Sequence, residues 1–151
     1  YFGLILTADG PRVIEYNCRF GDPETQVVLP LLQSDLFSIL RAVREERLAA
    51  ADIAWRDGAA ACVVLASGGY PKKYQTGFPI TGLDADGGCA GAIVYHAGTK
   101  WQDGQYRTAG GRVLGVTGLG DTLEEAIRRA YAAAEDIRFE NRHYRTDIGR
   151  K

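Results

Sequence analysis

The stretch Val13 to Gln26, VIEYNCRFGDPETQ, holds the residues of this sequence best suited to chemistry. Glu15 and Asn17 stand two positions apart in a strand-like run, and Arg19, Asp22, Glu24 and Gln26 follow in the loop that breaks it. In an extended strand alternate side chains share a face, so Val13, Glu15 and Asn17 are expected on one side and Ile14, Tyr16 and Cys18 on the other. A carboxylate beside an amide carbonyl is a pair of hard oxygen donors, which suits Mg²⁺ better than a softer transition metal. Magnesium takes few protein ligands and fills its other positions with water and substrate phosphates, so the pair reads as a nucleotide-phosphate site. The competing reading is a solvated strand face with no ligand, and an E-x-N spacing alone does not separate the two.

Several elements must position these residues. YFGLILTADGPRVIEYN reads as strand, turn, strand, with Ala8 to Pro11 as the hairpin turn. After the loop comes the apolar VVLPLL, and Ser34 is expected to cap a helix through DLFSILRAVREERL. Leu36, Phe37, Leu40, Val43 and Leu48 follow helical spacing there, which predicts one buried face. From about Asp52 the pattern changes: GAAACVVLAS, FPITGL, GAIVYHAG and RVLGVTGLG are short strand-like runs between glycine- and proline-rich turns. Thr122 and Glu125 have capping-box spacing ahead of Leu123, Ala126, Ile127, Ala130, Tyr131, Ala134 and Ile137, which predicts a helix covering the sheet. The polar ENRHYRTDIGRK is expected to be a terminal extension. The fold class is α+β, with an antiparallel sheet and helix over residues 1–51 and a small β-rich domain over 52–151.

Composition narrows the function. With 151 residues, 46% of them hydrophobic, the chain can build a packed core. A net charge of -1, a pI of about 6.2 and scattered Lys and Arg leave no electrostatic footprint for nucleic acid. Cys18, Cys62 and Cys89 are widely spaced with only His96 and His143 to help them, so neither a disulfide framework nor a zinc site is expected, and a reducing cytoplasm fits. No apolar run reaches the length of a membrane span, and the amino terminus has no signal-peptide pattern. A sequence that opens at Tyr1 and contains no Met reads as a piece of a longer polypeptide.

Three further motifs carry less. GVTGLG, Gly115 to Gly120, lacks the G-x-G-x-x-G order of a dinucleotide loop and reads as a turn with a helix cap. ASGGYP, Ala66 to Pro71, is a tight turn or an approach to a substrate cleft. Ser67 and His96 have neither a nucleophile-elbow context nor a third partner. His96 and His143 read as polar edge residues, and Lys72, Lys73 and Lys100 as solvated charge.

The longer string GLILTADGPRVIEYNCRFGDPETQVVLPLL resembles the carboxyl-terminal part of the ATP-grasp domain in the phosphoribosylamine-glycine ligase (glycinamide ribonucleotide synthetase) family. ASGGYPKKYQTGFPITGL, VYHAGTK, TAGGRVLGVTGLGDTLEEAIRRAY and YRTDIG resemble the same family in the same order, so the resemblance spans essentially the whole chain. It implies an ATP-grasp half-domain followed by a barrel-sandwich-like β-rich domain. The implied reaction is ATP-dependent joining of glycine to 5-phosphoribosylamine through glycyl phosphate, giving glycinamide ribonucleotide, ADP and phosphate. On this resemblance Glu15 and Asn17 match the ligands of Mg²⁺ or Mn²⁺, and the Arg19 guanidinium could steady a transferring phosphate or an acyl-phosphate oxygen. Asp22 or Glu24 could hold an amine, although an aspartate before proline is also a common turn former. The resemblance further implies an amino-terminal part of the same polypeptide that supplies the opposing wall of the cleft, so this chain alone is expected to be inactive and to expose the face where that part packs. Two rivals stay open: a non-catalytic interaction module, and another ATP-grasp ligase such as a biotin-carboxylase-like enzyme, against which the GDPETQ loop argues.

Overall fold

The first turn forms where Ala8 and Asp9 link two strands and Gly10 takes a φ of +100°, a left-handed value that favours glycine. The Thr7 hydroxyl closes it, donating to the Gly10 carbonyl (2.8 Å) and accepting from the Asp9 N–H (3.3 Å). On either side, β1 (Phe2–Thr7) and β2 (Gly10–Tyr16) pair antiparallel. The structure is a computed structural model that describes residues 2–150; Tyr1, at the head of the first strand-like run, and Lys151, at the end of the polar tail, lie outside the described residues.

The hairpin ladder is irregular at one point. Gly3 pairs with Glu15 and Leu4 with Val13, which leaves Ile14 as the extra residue of a β-bulge. Opposed residues share a face and consecutive residues do not, so Val13 and Glu15 lie on opposite faces. The simple alternation expected from sequence fails here because the bulge inserts one residue between them.

After a loop come α1 (Thr25–Val28), a 3-10 turn over Leu29–Leu31 and α2 (Leu36–Arg44). The cap of α2 is Asp35 rather than Ser34: its carboxylate accepts from the Ser38 N–H at 2.7 Å, and the Ser38 side chain, followed by this backbone hydrogen bond, holds its pKa below the ordinary carboxylate value. Ser34 ties down the following segment, accepting from the Ala54 N–H (2.8 Å). The apolar face of α2 is not buried within this chain, since Ala42 alone among its described residues is buried and Phe37 is 70% exposed. Leu4, Ile5, Leu6, Val13 and Ile14 of the hairpin are exposed as well.

The core lies further along the chain. β3 (Ala59–Ser67), β4 (Ile93–His96), β7 (Arg112–Gly120) and β8 (Arg142–His143) form an antiparallel sheet in the order β4-β7-β3-β8, and β5 (Thr99–Gln102) pairs separately with β6 (Gln105–Thr108). The sheet is open, not a closed barrel. FPITGL contributes isolated bridges at Pro79 and Thr81 and no strand, consistent with a proline that has no N–H to donate. Val63, Leu65, Leu114 and Val116 pack with Ala130, Ala134, Ile137 and Phe139 in one buried cluster.

Helix α3 (Leu123–Asp136) supplies the other side of that cluster. GVTGLG is part of strand β7, not a turn, and its glycines let the helix approach. A Cβ on Gly118 would lie 2.3 Å from the Ala126 carbonyl oxygen and 2.5 Å from the Ala130 nitrogen. Thr122 caps α3, accepting from the Glu125 N–H (3.2 Å), and Glu125 reaches back to the Asp121 N–H (3.0 Å). That backbone hydrogen bond, helped by Arg129 and Arg128, holds the Glu125 carboxyl below its ordinary pKa. Replacing the Thr122 hydroxyl, as in Thr122→Ala, is expected to cost about 1 kcal/mol. A thermal melt should register this as a Tm about 2–4 °C lower, and an unchanged Tm would rule out a stabilising cap.

The polar tail is fastened rather than free. Arg142 donates through Nη1 to the Ala134 carbonyl (2.7 Å) and to the Ile137 carbonyl, satisfying the end of α3. Tyr131 Oη donates to the Arg145 carbonyl (2.8 Å) and accepts from the Ile148 N–H (3.0 Å). The polarity of the run suggests an extension, but hydrogen bonds to partners 5 to 17 positions away tie it to α3.

Candidate functional site

The residues singled out from sequence occupy the end of β2 and the loop after it. Glu15 lies on β2 opposite Gly3, and its side chain lies over the space a larger residue there would take: a Cβ on Gly3 would stand 3.0 Å from the Glu15 Cγ. Asn17 is half-buried just beyond the last paired residue, Tyr16. Arg19 is exposed, with Nη1 donating to the adjacent Phe20 carbonyl at 3.5 Å.

The loop then turns back on itself. Gly21 is buried, and its carbonyl accepts from the Thr25 N–H (3.0 Å) and from the Thr25 hydroxyl. Asp22 is held on both carboxylate oxygens. Oδ1 accepts from Gln26 Nε2 (2.7 Å), and Oδ2 pairs with Arg112 Nη2 (3.1 Å). Arg112 Nη1 also takes the Asp22 backbone carbonyl (2.9 Å). Thr117 Oγ1 donates to the Gln26 carbonyl (3.0 Å), so β7 holds the loop at two separate points. Glu24 is exposed at the start of α1 and offers no cap hydrogen bond.

The donor set fits a divalent cation of the magnesium type. Glu15 offers carboxylate oxygens and Asn17 an amide oxygen, and two protein donors suffice for an ion that keeps water and phosphate. Among the described residues no cluster of three or more His, Cys, Asp or Glu side chains could form a closed metal cage.

Other candidates dissolve into structural roles. Ser67 Oγ donates to the Gly110 carbonyl (2.8 Å), whereas His96 contacts Thr99 Oγ1 (2.8 Å) and the Gly87 carbonyl (2.9 Å), so the two do not form a dyad. Burial pushes the Cys62 thiol up, with the nearby Asp22 charge adding to the effect, and burial does the same to Cys89; neither is poised as a thiolate. The ASGGYP motif forms a turn, with the Tyr70 N–H donating to the Ser67 carbonyl (3.1 Å). The large cleft along α3 and Gly149–Arg150 includes none of Glu15, Asn17, Arg19 or Asp22. Sequence reasoning missed Arg112, whose identity is plain in TAGGR but whose contact spans 90 positions.

Comparison with known proteins shows the family of the chain. Residues 1–25 match the phosphoribosylglycinamide synthetase ATP-grasp (A) domain, and residues 60–151, more than half of the chain, match the phosphoribosylglycinamide synthetase C domain. The chain belongs to the phosphoribosylglycinamide synthetase family. A phosphoribosylamine-glycine ligase of Clostridium acetobutylicum is 49% identical over 150 residues, which are 99% of this chain and 35% of that protein. The trifunctional purine biosynthetic protein adenosine-3 of Gallus gallus is also 49% identical, across 99% of this chain and 15% of its own length. The solved structure of a phosphoribosylamine-glycine ligase from Thermotoga maritima superposes with a TM-score of 0.75 at 39% identity, covering 97% of this chain and 35% of that one. The chain therefore spans about a third of the length of the ligases it matches. No helix among the described residues is long and apolar enough to cross a membrane.

Proposed function

We propose that this chain contributes the metal-binding edge and the carboxyl-terminal domain of an ATP-grasp ligase that joins glycine to 5-phosphoribosylamine in purine biosynthesis, in the cytoplasm. The observation that carries the reading is the anchored polar segment from Glu15 to Gln26, in a chain similar over 99% of its length to a named ligase. A division between residues 1–51 and 52–151 is consistent with family matches that end at 25 and resume at 60.

Phosphoryl transfer leaves the protein little covalent chemistry; its work is positioning and charge neutralisation. Glu15 and Asn17 would hold Mg²⁺ or Mn²⁺, which when bound neutralises charge on the ATP phosphates. Arg19 offers a guanidinium to the phosphoryl group as it passes to the glycine carboxylate, with ADP leaving. The amine of phosphoribosylamine then attacks the glycyl carbonyl, phosphate departs, and the amide nitrogen loses a proton. Asp22, gripped by Arg112 and Gln26, holds the shape of the loop beside Arg19.

The exposed apolar faces of the β1–β2 hairpin and α2 suit packing against an amino-terminal part of the same polypeptide, consistent with relatives about three times as long. ADP release tests the whole reading. The complete polypeptide should release ADP only when glycine and freshly generated phosphoribosylamine are both present, and residues 1–151 alone should release none. A folded complete polypeptide that binds MgATP yet releases no ADP with those substrates would overturn the substrate assignment.

A further inference from the structure

We infer that Arg112, on β7 of the carboxyl-terminal sheet, is a positioning residue for the Gly21–Gln26 loop, and that Asp22 serves the reaction by being held there. The inference rests on the ligase reading above and adds a residue to it. One guanidinium grips two oxygens of a single residue: the Asp22 carbonyl at 2.9 Å through Nη1 and Asp22 Oδ2 at 3.1 Å through Nη2. The remaining carboxylate oxygen accepts from Gln26 Nε2 (2.7 Å), and the Gln26 carbonyl is held by Thr117 on the same strand (3.0 Å). The loop is thus pinned at both ends to β7.

This geometry changes the expected job of Asp22. An aspartate that anchors a substrate ammonium needs its carboxylate oxygens free to face that cation, and here Arg112 and Gln26 engage one each. The same grip explains arginine at position 112: a planar fork reaches two oxygens in fixed geometry, which a lysine ammonium does not reproduce. Arg19 lies three residues before Asp22, so freedom in the loop is freedom for the guanidinium that the ligase reading assigns to the transferring phosphate. Glu15 is held separately by its pairing with Gly3 on β1. Losing the clamp should therefore impair turnover and leave nucleotide binding intact.

The test uses the complete polypeptide and compares wild type with R112A, R112K, D22A and the double variant R112A/D22A. Steady-state kinetics, thermal melts and amide hydrogen exchange over residues 21–26 are measured on each. R112A is expected to lower kcat about 10- to 100-fold, the scale of a misplacement of roughly 1 Å, with KM for MgATP unchanged. Its Tm should hardly move, because an exposed ion pair adds little stability. D22A keeps the backbone carbonyl held by Arg112 and should lose no more than R112A, the double variant should lose no more than R112A alone, and exchange in the loop should quicken in all three. R112A with wild-type kcat and wild-type loop protection would overturn the inference. So would single losses that multiply in the double variant, since the residues would then act independently, or full recovery in R112K, since charge alone would then suffice. Should wild type show no glycine-dependent ADP release, the ligase reading fails, and loop exchange in R112A decides by itself whether the clamp exists.

Discussion

Glu15→Gln in the complete polypeptide is expected to lower kcat for glycine-dependent ADP release about 1,000-fold, the scale on which charge-stabilising groups act in transfer reactions. The substitution keeps the length and shape of the side chain and removes its charge. A carboxylate that holds a divalent cation cannot be replaced by a neutral amide without weakening the metal, and the metal carries the neutralisation of the phosphates. Glu15 is exposed at the end of the hairpin and packs into no core cluster, so the variant should melt at the wild-type Tm. Raising Mg²⁺ or Mn²⁺ should recover part of the activity if the defect is in metal affinity. Wild-type activity in a folded Glu15→Gln protein would make Glu15 a solvated strand residue, the alternative left open by its spacing. A large fall in Tm would instead mean that its role is to support the bulged hairpin.

The second large effect concerns folding. Gly118→Ala places a methyl group 2.3 Å from one backbone atom of α3 and 2.5 Å from another, distances at which the helix must move away. Overpacking of this kind typically costs about 1–3 kcal/mol, and the upper end is expected because both obstacles are main chain, with no rotamer to turn aside. For a chain of this size that corresponds to a Tm lower by roughly 6–12 °C, read by thermal denaturation. Such a shift would also pull Ala130 away from the cluster containing Val116 and Leu114. A variant that melts with wild type would show that α3 does not seat on β7 as closely as described.

Much of the local structure is legible along the chain because its causes are local. The turn at Ala8 and Asp9, the cap at Thr122 and the runs that become β3, β4 and β7 all rest on neighbours within a few positions. The family is equally legible, since the E-x-N-x-R string with its GDPETQ loop is contiguous. Even nearby residues mislead: the cap of α2 falls one position past Ser34, where Asp35 accepts from the Ser38 N–H while the Ser34 hydroxyl is taken up by Ala54. The bulge at Ile14 is set by how two strands align, which no single strand records.

Patterns of residue type and short-range spacing were enough to establish an α+β chain, a carboxylate and an amide two positions apart, and the loop that follows them. Folding decided what the loop is fastened to. GVTGLG became the strand beneath a close helix, the polar tail became the clasp at the end of α3, and Asp22 met Arg112 from 90 positions away. The difference is physical: capping, turns and side-chain alternation are governed by the next few residues, whereas an ion pair or a helix seated on a glycine depends on segments that meet only once the chain has closed around its core.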